Sequence, residues 1–126
     1  MVEPMYSPWG TVDQCKTLYP GVFEVTTARH GGIMVRREVA MNLLSKEALK
    51  IGFVEGLYHC YEEDCDAVIV IWELLDQGLI APDEYCDFID VMIKHWHPEY
   101  WQAREERLEN AQKELPIDKC NGGEAR

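Results

Sequence analysis

Long apolar runs and basic stretches are both missing from this sequence, and each absence excludes a class of function. No apolar run approaches the roughly 20 residues that a membrane-spanning helix needs. The N-terminus has no basic segment followed by an apolar one, so we expect no secretory signal and a cytoplasmic protein. Lys and Arg are absent between Lys50 and Lys94. Binding to nucleic acid or to an anionic membrane uses basic side chains, so neither is expected.

Cysteine pairs with metal-ligand spacing are also missing. The five cysteines are an odd, scattered set, which is not typical of a disulfide framework. A zinc site would have to combine residues without the usual paired spacing, namely His59, Cys60 and Cys65 with His95 or His97. The sequence has no phosphate-binding loop, no dinucleotide fingerprint and no Gly-x-Ser-x-Gly turn. We therefore assign no metal and no cofactor from the sequence.

Acidic residues are present in excess, and they are unevenly distributed. The net charge is −11; residues 1–60 hold six Lys/Arg and six Asp/Glu, whereas residues 61–126 hold six and seventeen. Acids on solvated helix faces are common, but a window with acids alone favours a basic protein partner. The acids that we expect to form such a surface are Asp66, Glu73, Asp76, Asp83, Glu84, Asp87 and Asp90.

A β-hairpin is the clearest element of the first half. Residues 22–27 are rich in β-branched and aromatic side chains, which favours a strand. Gly31 and Gly32, which follow Arg29 and His30, predict a turn in which both glycines are free to take positive φ. Residues 33–35 then return as the partner strand. We predict an α+β fold with a small antiparallel hairpin or a three-stranded sheet.

Helices are predicted for most of the remaining chain, four or five in total, so that the C-terminal half is helical. Ser45 suits the N-cap of one of them. Residues 64–77 favour another helix, because acids suit its start and Gly78 suits its end. The apolar run at residues 67–72 leaves a buried strand open as the alternative.

Proline marks the start of two further helices, at Pro82 and Pro98, because it suits the first helical position. The second of these extends to about residue 114, with Trp101, Leu108, Ala111 and Leu115 expected on its inward face. Trp96 and Trp101 suit either the core or a homodimer interface. We predict a single α+β domain over residues 1–115, in which 82–115 form an acidic helical part, and a flexible tail over 116–126.

Two short motifs hold residue types that catalysis uses. His30 lies at the predicted hairpin tip, where it would titrate near neutrality and suit a general base. A plain tight turn is the alternative. Glu62, Glu63 and Asp64 could hold a hard cation or act in acid catalysis, or they could simply begin a helix in solvent.

Three stretches of the sequence form a pattern in combination, namely Ser7-Pro8-Trp9-Gly10, Val25 to Ile33 with its Thr-Ala-Arg-His-Gly-Gly, and Tyr61-Glu62-Glu63-Asp64-Cys65-Asp66. In order and spacing they resemble a domain of unknown function found in phage and plasmid proteins, over about residues 7–75. The resemblance implies a mobile genetic element and, for a phage protein, the host bacterial cytoplasm. It implies no activity. The matching positions are Trp9, His30, Gly31, Gly32, Tyr61, Glu62, Glu63, Asp64 and Cys65.

Three functions from different classes fit these patterns. The first is an interaction protein of the anti-CRISPR kind, which inhibits a host defence complex. It would present an acidic helical surface, like a nucleic-acid mimic, to the basic surface of a CRISPR effector or another nuclease. The second is a small enzyme or metal-dependent hydrolase, in which His30 is the base and Glu62, Glu63 or Asp64 is the acid or a metal ligand, so that His30 must meet one of them. The third is a structural or adaptor domain in which these residues only hold the hairpin to a helix.

Overall fold

The strands in the described part of the chain form two antiparallel sheets. The computed structural model describes residues 2–81 and 89–114. A short ribbon consists of β1 (Tyr6–Ser7) and β2 (Gly10–Thr11). The main sheet has five strands in the order β3-β4-β5-β7-β6, which are β3 (Gln14–Tyr19), β4 (Val22–Thr26), β5 (Gly31–Arg36), β6 (Phe53–Glu55) and β7 (Tyr58–Glu62).

Five helices accompany these sheets in the described residues, and they make the C-terminal part helical. They are α1 (Arg37–Leu43), α2 (Lys46–Leu49), α3 (Ala67–Asp76), α4 (Ile89–Trp96) and α5 (Pro98–Glu114). The predicted α+β fold class is therefore confirmed. Within the same residues, no helix has the length and apolar character to cross a membrane.

Both faces of the main sheet are covered. On one face, Val22 and Ile33 belong to the larger buried cluster, which also contains side chains of the helices. On the other face, Phe23 and Met34 belong to a second cluster, against which Trp9 packs from the N-terminal ribbon. Neighbouring residues on one strand point to opposite faces, so the central strands are apolar on both sides.

The sheet is larger than the predicted hairpin or three-stranded sheet. Residues 53–62 form the additional strands β6 and β7, which are joined by a turn at Gly56 with a φ of 59°. Strand β7 is mostly buried and lies between β5 and β6. A strand that is buried on both faces lacks the polar alternation by which a strand is recognised in sequence.

Local signals for helices are mostly confirmed. The Ser45 side chain caps α2 by accepting a hydrogen bond from the Ala48 N–H at 3.1 Å, and Pro98 begins α5. Residues 67–72 are helical and not a strand, but α3 begins at Ala67, later than predicted. The predicted start at Pro82, the expected inward Leu115 and the tail over 116–126 lie outside the described residues.

The inward face of α5 differs in part from the prediction, since Trp101 packs against the core as expected but other residues do not. Leu108 is 41% exposed and Ala111 is exposed, whereas Tyr100 and Arg104 are buried. The Arg104 guanidinium forms two hydrogen bonds with the Asp76 carboxylate, at 2.8 and 2.9 Å. A charged side chain can be buried when such a partner is present, but its sequence pattern looks like that of a surface residue.

Candidate functional site

His30 and residues 63–64 are neighbours because β5 and β7 pair side by side. The antiparallel register places Gly32 opposite Glu62. The pairing continues one step further, because the Glu63 N–H donates to the Gly31 carbonyl at 3.0 Å. His30 and Asp64 are the next residues of the two segments, just outside the paired strands. The two motifs, which are distant in sequence, therefore meet at one end of the sheet.

The turn that presents His30 is built by Thr27. Its backbone N–H donates to the His30 carbonyl at 2.9 Å, and its hydroxyl donates to the same carbonyl at 2.6 Å. The hydroxyl oxygen also accepts from the N–H groups of Arg29 and His30, at 3.3 and 3.1 Å. Such side-chain bonds to the backbone are typical of turns. They close the loop and leave the His30 side chain exposed.

Gly31 and Gly32 do not form this turn, and that prediction was wrong. They are the first two residues of β5, and neither has positive φ. Glycine is required there for space. A Cβ atom at Gly31 would lie 2.5 Å from the Val25 carbonyl oxygen, and one at Gly32 would lie 2.3 Å from the Tyr61 carbonyl oxygen. The two glycines therefore let the neighbouring strands approach β5 closely beside the site.

The side chains of His30, Glu63 and Asp64 form a candidate metal site. One ligand atom from each lies within 4.8 Å of the others, and all three residues are exposed. The ligand atoms of a tetrahedral zinc site lie roughly 3.4 Å apart, because each is roughly 2.0–2.1 Å from the ion. These exposed side chains would therefore have to rotate before all three atoms could bind one ion.

The donor set indicates what such a site can do. One imidazole nitrogen and two carboxylate oxygens suit zinc and the neighbouring divalent transition metals. Three protein ligands leave at least one position for water, as in catalytic zinc sites and unlike closed structural ones. An ion held there would supply a water molecule of lowered pKa as a nucleophile.

Other residues of the motifs lie near the cluster without belonging to it. Glu62 is part of β7, and Tyr61 is buried with its hydroxyl donating to the Ala48 carbonyl at 2.7 Å. Burial raises the pKa of the Cys65 thiol to about 11, and the carboxylate of Asp66 contributes in the same direction. At neutral pH, Cys65 is therefore a protonated thiol, which is a poor metal ligand.

The zinc set that the sequence offered is not assembled. The ring of His59 is hydrogen-bonded through Nε2 to the Ile51 carbonyl at 2.7 Å. Burial raises the pKa of Cys60 to about 12, so it stays protonated. The Nε2 atom of His97 lies 2.9 Å from Asp66 Oδ1 and 3.0 Å from the Cys65 carbonyl oxygen. Within the described ranges, the ligand atoms that converge are those of His30, Glu63 and Asp64.

Several acids expected on an interaction surface are hydrogen-bonded inside the domain. Asp66 pairs with His97, and Asp76 pairs with Arg104. Glu73 is only 4% exposed. The Asp90 side chain is more exposed than that of Glu73, and its carboxylate lies 3.8 Å from the Lys94 ammonium. The remaining members of the set lie outside the described residues, and they are Asp83, Glu84 and Asp87.

Thr27 is absent from the candidate residues that the sequence suggested. The available signal was the preference of threonine for bonding to backbone groups two or three residues further on in a turn. That signal is weak because it does not show which carbonyl or N–H the hydroxyl will reach.

The fold and the three-residue cluster define an α+β domain with a candidate metal site at one end of its sheet. The chain belongs to the family described as domain of unknown function (DUF7007), whose model matches residues 2–121. Membership of a family of unknown function is thereby confirmed, and the match includes the C-terminal helices, beyond the expected range of 7–75. No curated protein and no solved structure matches the chain.

Proposed function

We propose that this domain binds a divalent transition-metal ion through His30, Glu63 and Asp64 and uses it for hydrolysis. The observation that supports the proposal is the convergence of three ligand atoms within 4.8 Å of one another. The pairing of β5 with β7 also supports it, because His30 precedes one of these strands and Glu63 and Asp64 follow the other. All three side chains would hold the ion, and all three are exposed to solvent.

The charges of the cluster favour a divalent cation. Glu63 and Asp64 supply two negative charges, which balance the charge of the ion, and His30 supplies a neutral nitrogen. Because all three side chains are exposed, a substrate can reach the ion directly. Hydrolysis is the reaction class that a metal-bound water supports.

Metal binding is tested first, by calorimetric titration with Zn²⁺ and Mn²⁺. We expect one ion per chain in the wild-type protein and an affinity at least about 10-fold weaker in Glu63→Gln, because a ligand is lost. Glu62→Gln is the matched control, since it removes the same charge one residue away and Glu62 lies outside the cluster. Equal losses in both variants, or no binding by the wild type, would refute the site.

Hydrolysis is tested on the loaded protein with 4-nitrophenyl phosphate and carboxylate esters. We expect activity that depends on the ion and disappears in His30→Ala. His95→Ala is the control, because His95 is exposed and lies outside the cluster. The catalytic part of the proposal would be contradicted if the protein bound the ion tightly but hydrolysed none of these esters with either Zn²⁺ or Mn²⁺.

A second candidate is an inhibitor of a host defence complex, encoded by a phage or plasmid and of the anti-CRISPR kind. The observation that favours it is the excess of seventeen acids over six bases in residues 61–126. On α5, exposed acids remain available to a partner, and they include Glu99, Glu106 and Glu109. A basic nuclease surface is the partner that such a charge would attract.

The second candidate predicts salt-sensitive capture of a nuclease complex. The tagged chain is incubated with host extract at low and at high salt, and the captured complex is assayed for nuclease activity. We expect capture and inhibition at low salt, with both lost at high salt. Charge reversal by Asp83→Lys, Asp87→Lys and Asp90→Lys should abolish both. Capture that persists after this reversal argues against an acidic interface, and a chain with neither ion nor partner would fit the structural or adaptor alternative.

A further inference from the structure

We infer that Thr27 is the positioning residue of the candidate metal site, an inference that rests on the proposed function. Thr27 is not among the three converging ligands. Its hydroxyl instead forms hydrogen bonds with both backbone groups of His30. It donates to the His30 carbonyl at 2.6 Å and accepts from the His30 N–H at 3.1 Å.

The Thr27 hydroxyl orders the turn because it bonds to more than one of its backbone groups. The same oxygen accepts from the Arg29 N–H at 3.3 Å, so two successive N–H groups of the turn share it. Without that acceptor, both groups would turn to water and the loop would sample more conformations. His30 would then reach the ion from a broader set of positions, and binding would carry the cost of ordering the loop.

The three ligands differ in how their positions are fixed. Glu63 is held by a backbone hydrogen bond to Gly31, which continues the ladder between β5 and β7. Asp64 follows it directly in the chain. His30 directly precedes β5, in the loop that Thr27 closes. His30 is therefore the ligand whose position depends most on a side chain outside the set.

Thr27 also connects the turn to the N-terminal ribbon. Its hydroxyl lies 3.3 Å from the Trp9 carbonyl oxygen, and Trp9 packs over Gly32. A hydroxyl has one proton, and the carbonyl of His30 at 2.6 Å is the closer acceptor. Thr27 therefore lies against both the His30 turn and the Trp9 backbone, and its single proton goes to the His30 carbonyl.

The test compares zinc affinity in Thr27→Val and Thr27→Ser by calorimetric titration, at a temperature where circular dichroism shows each variant to be folded. Valine keeps the shape but removes the hydroxyl, so we expect affinity about 10-fold weaker. Serine keeps the hydroxyl and should bind nearly as tightly as the wild type. Thr26→Val is the matched control, because Thr26 is exposed and the substitution removes the same hydroxyl group one residue earlier.

The outcomes separate this inference from the proposed function. A wild type that binds no zinc overturns both. The role of Thr27 alone is overturned if the wild type binds zinc and Thr27→Val binds it with the same affinity. It is also overturned if Thr27→Ser binds zinc as weakly as Thr27→Val does. If Thr27→Val does not fold, amide hydrogen exchange of the metal-free wild type decides. We expect the Arg29 and His30 amides to exchange more slowly than that of Ala28, and equal rates would overturn the inference.

Discussion

The indole ring of Trp9 lies so close to Gly32 that a Cβ atom on Gly32 would be 2.4 Å from the Cη2 atom of the ring. This contact joins the N-terminal ribbon to strand β5. It also explains a glycine inside a strand, where glycine is otherwise unfavourable. The ribbon thereby packs on the face of the sheet that carries Phe23 and Met34.

Gly32→Ala is predicted to destabilise the protein by about 1–3 kcal/mol, as overpacking of a buried site does. The added methyl group would meet both the Trp9 ring and the backbone oxygen of Tyr61. Urea unfolding followed by circular dichroism measures the free energy of unfolding. Because the Tyr61 oxygen is backbone, Trp9→Ala should not restore stability in the double variant. Wild-type stability in Gly32→Ala would show that the strands can separate without cost.

Glu73→Gln is predicted to lower the free energy of unfolding by about 1–3 kcal/mol. The buried carboxylate accepts from the Ser45 N–H at 2.7 Å, from the Ser45 hydroxyl at 2.8 Å and from the Tyr100 hydroxyl. Glutamine has one acceptor oxygen in place of two and places an NH2 group among these donors. Glu109→Gln, at an exposed position on α5, is the control and should change little. Equal stability of the two variants would contradict the role assigned to Glu73.

Arg104→Lys is predicted to destabilise the packing of α3 against α5. The guanidinium lies 5.0 Å from the ring centre of Trp72 and 4.8 Å from that of Trp101, and it also binds both oxygens of Asp76. Lysine cannot make the planar, two-pronged contact, so we expect a loss of about 1–2 kcal/mol and a changed near-ultraviolet circular dichroism spectrum. Arg29→Lys, on the exposed turn, should leave the spectrum unchanged. An unaltered spectrum in Arg104→Lys would show that the charge alone suffices.

Stability is predicted to fall in alkaline solution. Burial raises the pKa of the Cys60 thiol from 9.0 to about 12. Above pH 9.0 the unfolded chain loses this proton while the folded protein retains it. The stability that the buried, protonated thiol contributes is therefore complete below pH 9.0 and is lost as the pH rises toward about 12. Burial raises the pKa of Tyr61 in the same direction.

The Cys60 contribution is measured as a slope of unfolding free energy against pH. Cys60→Ala should flatten the alkaline slope by up to roughly 1.4 kcal/mol per pH unit, which corresponds to one proton. The comparison of slopes removes the separate cost of the smaller side chain. Parallel curves for wild type and variant would contradict the assignment.

The sequence named the residues of the candidate site among its candidates, but it did not show which of those candidates come together. His30, Glu62, Glu63 and Asp64 were all candidates by residue type. Glu62 and Glu63 become distinguishable only once β7 is known to end at Glu62, because neighbouring strand residues point to opposite faces. The turn role of Gly31 was predicted wrongly because glycine serves both for positive φ and for close approach.

The sequence by itself determined the features that depend on neighbouring residues. The strand over Val22–Thr26, the cap at Ser45, the start of α5 at Pro98 and the acidic net charge all follow from local chemistry. Only the tertiary structure decided that β5 pairs with β7 and that His30 lies near Glu63 and Asp64. Both strands are largely buried, so their side chains carry no alternation that specifies a register. The pairing of distant strands, and with it the candidate site, is fixed by how the whole core packs.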